Sequence, residues 1–173
     1  MLMNRNKNTE SLLKAIVRSP LELALEIAAL AGILCTFLAI LQSWGTLPET
    51  IPIHFGITGQ PDNWGSKSIL WLLPGMGTCI YLVLTLSPLL PQLLDSPFPI
   101  PEDQGDRLLG LVRELFGWMK VQIIWLFFLI NWQMIQVGLG QSSAIGTVLI
   151  FTGVIFLGGT IAFYFQQAEQ NLY

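Results

Sequence analysis

The sequence predicts an all-α fold: an integral membrane four-helix bundle with a short ordered extracytoplasmic loop between its first and second helices. Of its 173 residues, 53% are hydrophobic and only 11% are charged, whereas an ordinary soluble domain carries about 25% charged residues. A soluble domain of this length would bury only about 70% of the surface of its unfolded chain, so the lipid bilayer is the expected first partner. The net charge of −3 provides no basic face, and no nucleic-acid partner is expected.

Long uncharged intervals locate the membrane-spanning helices, since crossing the hydrocarbon core takes roughly 20 apolar helical residues. Three intervals carry no charge: Glu26 to Glu49, Lys67 to Asp95, and Lys120 to Glu169. The last is long enough for two helices, because the glycines and serines of residues 138–143 favour a turn within it. The predicted spans are about 21–43, 68–90, 116–137 and 143–165, in a single domain over residues 1–173.

Basic residues set the predicted orientation, because short cytoplasmic segments retain lysine and arginine. The N-terminal segment and the second connection hold seven of the eight basic residues: Arg5, Lys7, Lys14, Arg18, Arg107, Arg113 and Lys120. Both termini are therefore expected in the cytoplasm, with residues 44–67 outside a bacterial plasma membrane or an internal membrane. A secretory signal peptide is the rival interpretation of the N-terminus, but the apolar run is too long and no small-residue cleavage site follows it.

The first span has a clear start signal. Ser19 is placed to cap the helix, Pro20 to occupy its first position, and Glu22 to reach back towards the cap. Before it, residues 9–18 place apolar side chains on one face, which predicts an amphipathic segment in the cytoplasmic interface. Glu22 and Glu26 lie one turn apart, and we expect them to pair with Arg18 or with a partner. Their position near the membrane edge disfavours an ion-driven carrier.

The second span contains a proline, and each of the first two spans contains a cysteine. Pro74 removes a backbone hydrogen bond, so a kink is expected there. Cys35 and Cys79 provide neither a disulfide framework nor a metal motif. We expect both to be small buried hydrophobic residues.

The third helix is predicted to be continuous from an amphipathic cytoplasmic piece, beginning near Glu102, into the span. Trp118, Trp125 and Trp132 recur every seven residues and share one face. Two interpretations stay open, a tryptophan-lined binding stripe and ordinary helix packing. Amides among them are expected to bond to neighbouring helices, since an unpaired amide is costly in a bilayer: Gln122, Asn131, Gln133 and Gln136.

Glycines of the fourth span permit close approach within the bundle or to a partner subunit: Gly146, Gly153, Gly158 and Gly159.

In the loop of residues 44–67, apolar residues alternate with others over one short stretch: Ile51, Ile53, Phe55 and Ile57. That period of two predicts an extended segment whose apolar side faces the bundle or bilayer and whose other side carries His54. Pro52 limits this segment to a sheet edge. Residues 58–63 have turn chemistry, with Gly59 supplying positive φ. Trp64 is expected at the headgroup level, and Ser66 at the cap of the second span.

His54 is the single histidine, so one chain cannot build a two-histidine zinc site. A hydrogen bond from His54 to Asp62 that locks the loop is one interpretation of the pair. The alternative is that His54 binds or senses something outside, because imidazole changes charge near neutral pH. Asp62 is equally suited to cap a turn, and Lys67 to contact a headgroup or to pair with Asp62. No cofactor or metal is expected.

Residues 47–68 resemble a known module. Leu47-Pro48, Ile51-Pro52, His54-Phe55, Gly59, Pro61-Asp62 and Gly65-Ser66-Lys67 follow the pattern LPxxIPxHFxxxGxPDxxGSK. This pattern is similar to the small module of unknown function near the N-terminus of SdpI-type membrane proteins, where it lies between two membrane helices. The resemblance implies a bacterial multi-pass membrane protein with an accessory or immunity-like role. The family's own immunity role, against an extracellular toxic peptide, also involves a second membrane domain, which is not evident in this sequence.

Together these observations favour a membrane protein that is not an enzyme and that binds a peptide or another membrane protein through its outer loop. The candidate contact residues are His54, Phe55, Gly59, Asp62 and Trp64. A structural or assembly subunit of a larger membrane complex is the first alternative, motivated by the glycines of the fourth span. A metal enzyme centred on the loop is the second alternative.

Overall fold

The computed structural model of the protein describes residues 19–87 and 102–172. The elements in chain order are α1 (Pro20–Ser43), β1 (Thr50–Phe55), β2 (Pro61–Ser66), a 3-10 helix (Lys67–Trp71), α2 (Leu72–Leu86), α3 (Glu102–Gly138) and α4 (Thr147–Leu172). The described residues contain four helical segments long and apolar enough to cross a membrane, so the predicted fold class is confirmed. The amphipathic segment predicted over residues 9–18 and the proline-rich stretch 88–101 lie outside the described residues.

Helix α1 begins as predicted. Ser19 has extended backbone geometry and its side chain accepts a hydrogen bond from the Glu22 amide at 3.1 Å, with Pro20 at the first helical position. The serine satisfies one of the amide groups that a helix start leaves without an intrahelical acceptor.

Both ends of α4 and the start of α2 differ from the prediction. Helix α4 starts at Thr147 rather than near residue 143, because Gly140, with φ of +71°, ends α3 in a turn that continues through residue 146. It then runs to Leu172, beyond the apolar span, because residues 166–170 (glutamine, alanine and glutamate) are good helix formers. The second span begins with the 3-10 helix and continues directly into α2. Pro74 therefore lies in the first turn of α2. It thus lies just after a 3-10 to α transition, and the kink expected there stays a prediction.

Helix α3 is the centre of the bundle and packs against α1, α2 and α4. It is continuous over 37 residues, as predicted. Trp125 donates a hydrogen bond from its indole nitrogen to the carbonyl of Ala28 at 3.1 Å, and Ile124 approaches Gly32 closely. Of the two interpretations of the tryptophan face, helix packing therefore fits Trp125 better than a binding stripe. Trp118 and Trp132 are exposed on the protein surface.

Two of the four amides bond to neighbouring helical spans, as expected, and a third bonds to the connection before α4. Gln122 donates to the hydroxyl of Thr160 on α4 at 2.7 Å, and Gln133 accepts from the backbone amide of Gly146. Asn131, fully buried, donates to the carbonyl of Leu70 at 2.8 Å. Because Pro74 has no N–H, it cannot donate to that carbonyl four residues earlier. Asn131 supplies a hydrogen bond that the helix cannot make for itself.

A charged pair lies inside the bundle. Lys120 is only 3% exposed; it forms an ion pair with Glu26 of α1 and donates to the hydroxyl of Thr85 of α2 at 3.1 Å. The sequence placed Lys120 with the basic residues of the second connection and did not indicate that its side chain is buried between helices. A long cationic side chain on a packed helix face turns inwards when a carboxylate on the neighbouring helix compensates its charge.

Both cysteines are free. Cys35 is partly buried, whereas Cys79 is exposed on the surface of α2, so the expectation of a buried residue is wrong for Cys79. Hydropathy finds a span but does not indicate which of its faces packs against protein.

Candidate functional site

A β-hairpin closes one end of the bundle, between α1 and the 3-10 helix. Strands β1 and β2 are antiparallel, with Thr50 opposite Ser66 and Phe55 opposite Pro61. The register shifts on both sides of His54, which marks a bulge. The sequence predicted β1 as an extended segment but missed its partner. Strand β2 reads PDNWGS, in which proline, aspartate, asparagine and glycine all have low strand propensity.

The underside of the hairpin belongs to the hydrophobic core. Ile51 is fully buried, and it clusters with Leu47, Ile40 of α1, Leu70 of the 3-10 helix and Ile135 of α3. At this end of the bundle, apolar side chains of the helices and of the hairpin form one buried cluster. The hairpin is therefore a packed layer of the fold.

The predicted alternation holds only in part, because Pro52, expected on the same side as His54, is fully buried. Ile51 is buried, and Ile53 and Phe55 pack partly buried against the core, while His54 between them is exposed. Ile57 was expected on the same apolar side, yet it is 83% exposed. Strand β1 ends at Phe55, and side chains no longer alternate between two faces once the chain enters a turn.

Gly59 makes the predicted turn and has a second role that the sequence did not reveal. Its φ is +81°, and its amide donates to the carbonyl of Gly56 at 2.8 Å. Its own carbonyl accepts from the amide of Ile145 at 2.9 Å, in the connection between α3 and α4. A β-carbon added at Gly59 would overlap the Ile145 carbonyl oxygen. We call this backbone contact between Gly59 and Ile145 the latch, because it fastens the hairpin tip to the start of α4.

Lys67 was expected at a headgroup or beside Asp62, and both expectations are wrong. Its side chain is buried, and it donates to the carbonyls of Trp44 and Leu47 at 3.2 and 3.4 Å while pairing with Glu49 at 3.0 Å. Those two carbonyls lie just beyond the C-terminus of α1, where the helix dipole favours a cation. Lys67 therefore caps α1 from the start of the next helical segment.

The exposed side of the hairpin carries the polar groups. Nδ1 of His54 lies 2.5 Å from Oδ1 of Asp62, with the two side chains 68% and 50% exposed, so the predicted hydrogen bond is present. The Asn63 side chain accepts from the amide of Trp64 at 2.8 Å, which occupies a backbone donor of the edge strand. Trp64 itself is 56% exposed.

The structure brings some of the candidate contact residues together and separates others. His54 and Asp62 form a pair on the exposed face, and Trp64 is also open to the surroundings. Phe55 packs partly buried against the core, and Gly59 is held in the latch, so these two position the exposed face. The site is thus a small polar face. Apolar packing supports it from the core side, and the latch fixes the tip of the hairpin.

Metal-binding potential is limited in the part of the chain that the structure describes. Within residues 19–87 and 102–172, no three His, Cys, Asp or Glu side chains are grouped closely enough to hold a metal ion. The His54–Asp62 pair by itself offers two ligands, fewer than the three protein ligands usual for catalytic zinc.

Fold and site define a multi-pass membrane protein with a hairpin docked on one end of its helix bundle. Residues 31–78 match the model of a family described as a domain of unknown function, DUF1648. The match extends from the middle of α1 across the hairpin and the 3-10 helix into α2, and thus includes the whole LPxxIPxHF motif region. An uncharacterized protein of Archaeoglobus fulgidus is 39% identical over 59 residues, which cover 32% of this chain and 32% of that protein. No solved structure matches the chain.

Proposed function

We propose that this protein acts by binding, without catalysis of its own, and that the exposed face of its hairpin contacts a peptide or protein outside the membrane. The observation that carries the proposal is the division of the hairpin into two sides. Its underside is packed into the core, whereas the His54–Asp62 pair and Trp64 are open. A side-chain pair that the fold does not need for packing, held on a braced support, is suited to contact a partner.

The chemistry of the face favours a polar peptide surface. Asp62 accepts from Nδ1 of His54, an arrangement that leaves the other ring nitrogen as an acceptor when the ring is neutral. A backbone amide or a side-chain donor of the partner is its natural counterpart. Trp64 adds a large apolar surface of the kind that anchors interfaces. The resemblance of residues 47–68 to the SdpI-type module further supports a peptide as the partner.

Photo-crosslinking tests this proposal directly. A photoreactive amino acid in place of Trp64 is expected to capture a partner from intact cells, whereas the same group at exposed Gln141, in the neighbouring connection, captures much less. His54→Ala and Asp62→Ala are each expected to weaken capture through Trp64. Equal capture from both positions, unaffected by either variant, would rule out a role for the polar face.

The proposal also needs the hairpin to lie outside the cytoplasm, as the distribution of basic residues favours. A reporter fused after Asn63 is expected to behave as extracytoplasmic, and one fused after the C-terminus as cytoplasmic. Cytoplasmic behaviour of the first fusion would contradict the external binding role while leaving the fold intact.

A structural subunit of a larger membrane complex is the second candidate. It is favoured by α4, whose surface is largely uncovered by protein, with Gly158 and Gly159 exposed and without neighbours in space. Extraction in a mild detergent followed by native mass spectrometry separates the two functions. Subunits that copurify in a fixed ratio, and whose binding is unaffected by His54→Ala, favour the structural role.

A further inference from the structure

A groove of about 480 Å³ runs between α3 and α4, away from the hairpin. Trp118 and Gln122 of α3 line one wall, and Phe156, Gly159, Thr160 and Phe163 of α4 line the other. Ligand pockets typically enclose about 300–1,000 Å³ and are mostly apolar. The groove therefore has the size and the character of a binding site for a small apolar group.

The position of the groove identifies the medium to which it opens. Its walls belong to the two membrane-spanning segments Leu109–Gly138 and Ile150–Gln170. Thr160 lies 13 residues beyond the start of α4, or about 20 Å along its axis at 1.5 Å per residue. Counted from Ile150, where the span begins, Thr160 is about 15 Å deep, at the middle of a hydrocarbon core about 30 Å thick. The groove continues from there to Phe163 and so opens towards acyl chains in the half of the bilayer away from the hairpin.

The hydroxyl groups that line the groove are already hydrogen-bonded within the protein, as is the Gln122 amide nitrogen. Gln122 donates to Thr160, and the Thr160 hydroxyl donates to the carbonyl of Phe156 at 3.0 Å. The Tyr164 hydroxyl donates to Glu114 at 3.2 Å, and the remaining side-chain oxygen of Gln122 is buried, so it does not face the groove. The surface offered to an occupant is hydrocarbon and aromatic ring.

Gly159 gives the groove its depth. A β-carbon at this position would meet nothing within 4 Å, whereas one at Gly153, earlier on α4, would meet Leu126 at 3.1 Å. Helices α3 and α4 thus lie in contact at Gly153 and leave space at Gly159. This space is bounded by the rings of Trp118 and Phe163.

We propose that the groove between α3 and α4 is a binding site for one acyl chain of a bilayer phospholipid, in the leaflet away from the hairpin. Its apolar walls, its bonded hydroxyl groups and its position inside both spans all fit a hydrocarbon chain. A lipid bound there fills the space beside an otherwise weakly packed helix, and so stabilises α4 against α3.

The test uses the full chain in vesicles of phosphatidylethanolamine and phosphatidylglycerol that contain a phospholipid with a diazirine on one acyl chain. After photolysis, mass spectrometry locates the labelled residues. Labelling of Trp118 and Phe163 is expected to exceed that of Ile155, which is exposed on the same helix but does not line the groove. Gly159→Leu is expected to lower labelling of Trp118 about tenfold, equivalent to about 1.4 kcal/mol.

Gly158→Leu is the matched control. It adds the same side chain one residue away, also in open space, at a position that does not line the groove. We expect this variant to label like the wild type. Labelling spread evenly over the exposed helix faces, or lowered equally by both variants, would overturn the proposal. So would crosslinks from a photoreactive group at Trp118 to a second copy, to an isoprenoid quinone or to residues 1–18 in place of phospholipid.

Discussion

Helices α1 and α4 are both apolar enough to cross a membrane, yet the protein surrounds them very differently. A third of the most hydrophobic window of α1 is buried in the structure, against 6% of that of α4. Helix α1 contacts α2 and α3, and the hairpin core forms beyond its C-terminal end. Helix α4 packs against α3 and is held at its start by the latch.

The difference shows that hydropathy and packing are separate properties of a span. Lipid tails are as apolar as leucine, so burial of apolar surface does not by itself hold helices together in a bilayer. What holds α1 is close approach at Gly32 together with specific polar contacts such as Glu26–Lys120. Helix α4 has polar contacts of the same kind, Gln122–Thr160 and Tyr164–Glu114, but α3 is its main helical neighbour, whereas α1 contacts both α2 and α3. Breaking such contacts one at a time tests this account.

The largest effect is expected at the buried ion pair that joins α1 to α3. Lys120→Met removes the cation that pairs with the buried Glu26 carboxylate, and breaking a buried ion pair in this way typically destabilises by about 3–5 kcal/mol. The free energy of unfolding in mixed detergent micelles measures this loss. Glu26→Leu combined with Lys120→Met is expected to recover much of it, since the double variant buries no charge. Glu169→Gln, at an exposed position on α4, is the control and should change little.

The next effect concerns the latch. Gly59→Ala places a methyl group against the Ile145 carbonyl and strains a positive φ, for a combined loss of about 3 kcal/mol. Hydrogen exchange of residues 145–150 is expected to rise more than that of α1. Gly140→Ala is the matched control: its φ is also positive but no atom lies within 4 Å, so only the backbone strain of about 1–2 kcal/mol remains. Equal losses in the two variants would show that the latch contributes nothing beyond the turn.

A smaller effect is expected where α3 meets the start of α2. Asn131→Leu removes the donor to the Leu70 carbonyl, which we expect to destabilise by about 1 kcal/mol. In a Pro74→Ala background the new backbone amide can take over that carbonyl, so the same substitution should cost less. A double-mutant cycle on the free energy of unfolding measures the difference. Strict additivity would mean that Asn131 does not compensate for the proline.

These contacts also show how far the sequence alone could predict the structure. Local signals sufficed for the Ser19 cap, the Gly59 turn and the pairing of His54 with Asp62, because each depends on residues close in the chain. The bonding of the amides of α3 followed from the cost of an unpaired amide in lipid, although the sequence did not specify their partners.

Long-range choices were not predictable. Lys67 and Lys120 are cations near predicted span ends, for which a headgroup contact is the ordinary outcome; their burial depends on Glu49 and Glu26 lying opposite them after folding. The second role of Gly59 depends on a backbone segment more than 80 residues away in the chain. The predicted turn is by itself a sufficient reason for a glycine at position 59. The glycine therefore gave no sign of its contact with Ile145.

The smallest expected effect on stability separates a structural from a functional role for the polar face. His54 and Asp62 are both well exposed, and exposed ion pairs contribute about 0–1 kcal/mol. His54→Ala should therefore leave the free energy of unfolding within about 0.5 kcal/mol of the wild type, while capture of a partner through Trp64 falls. If unfolding instead shifts as strongly as in Gly59→Ala, the pair serves to hold the hairpin together. The candidate site would then lose its two central residues, because a pair required for folding gives no evidence of a partner.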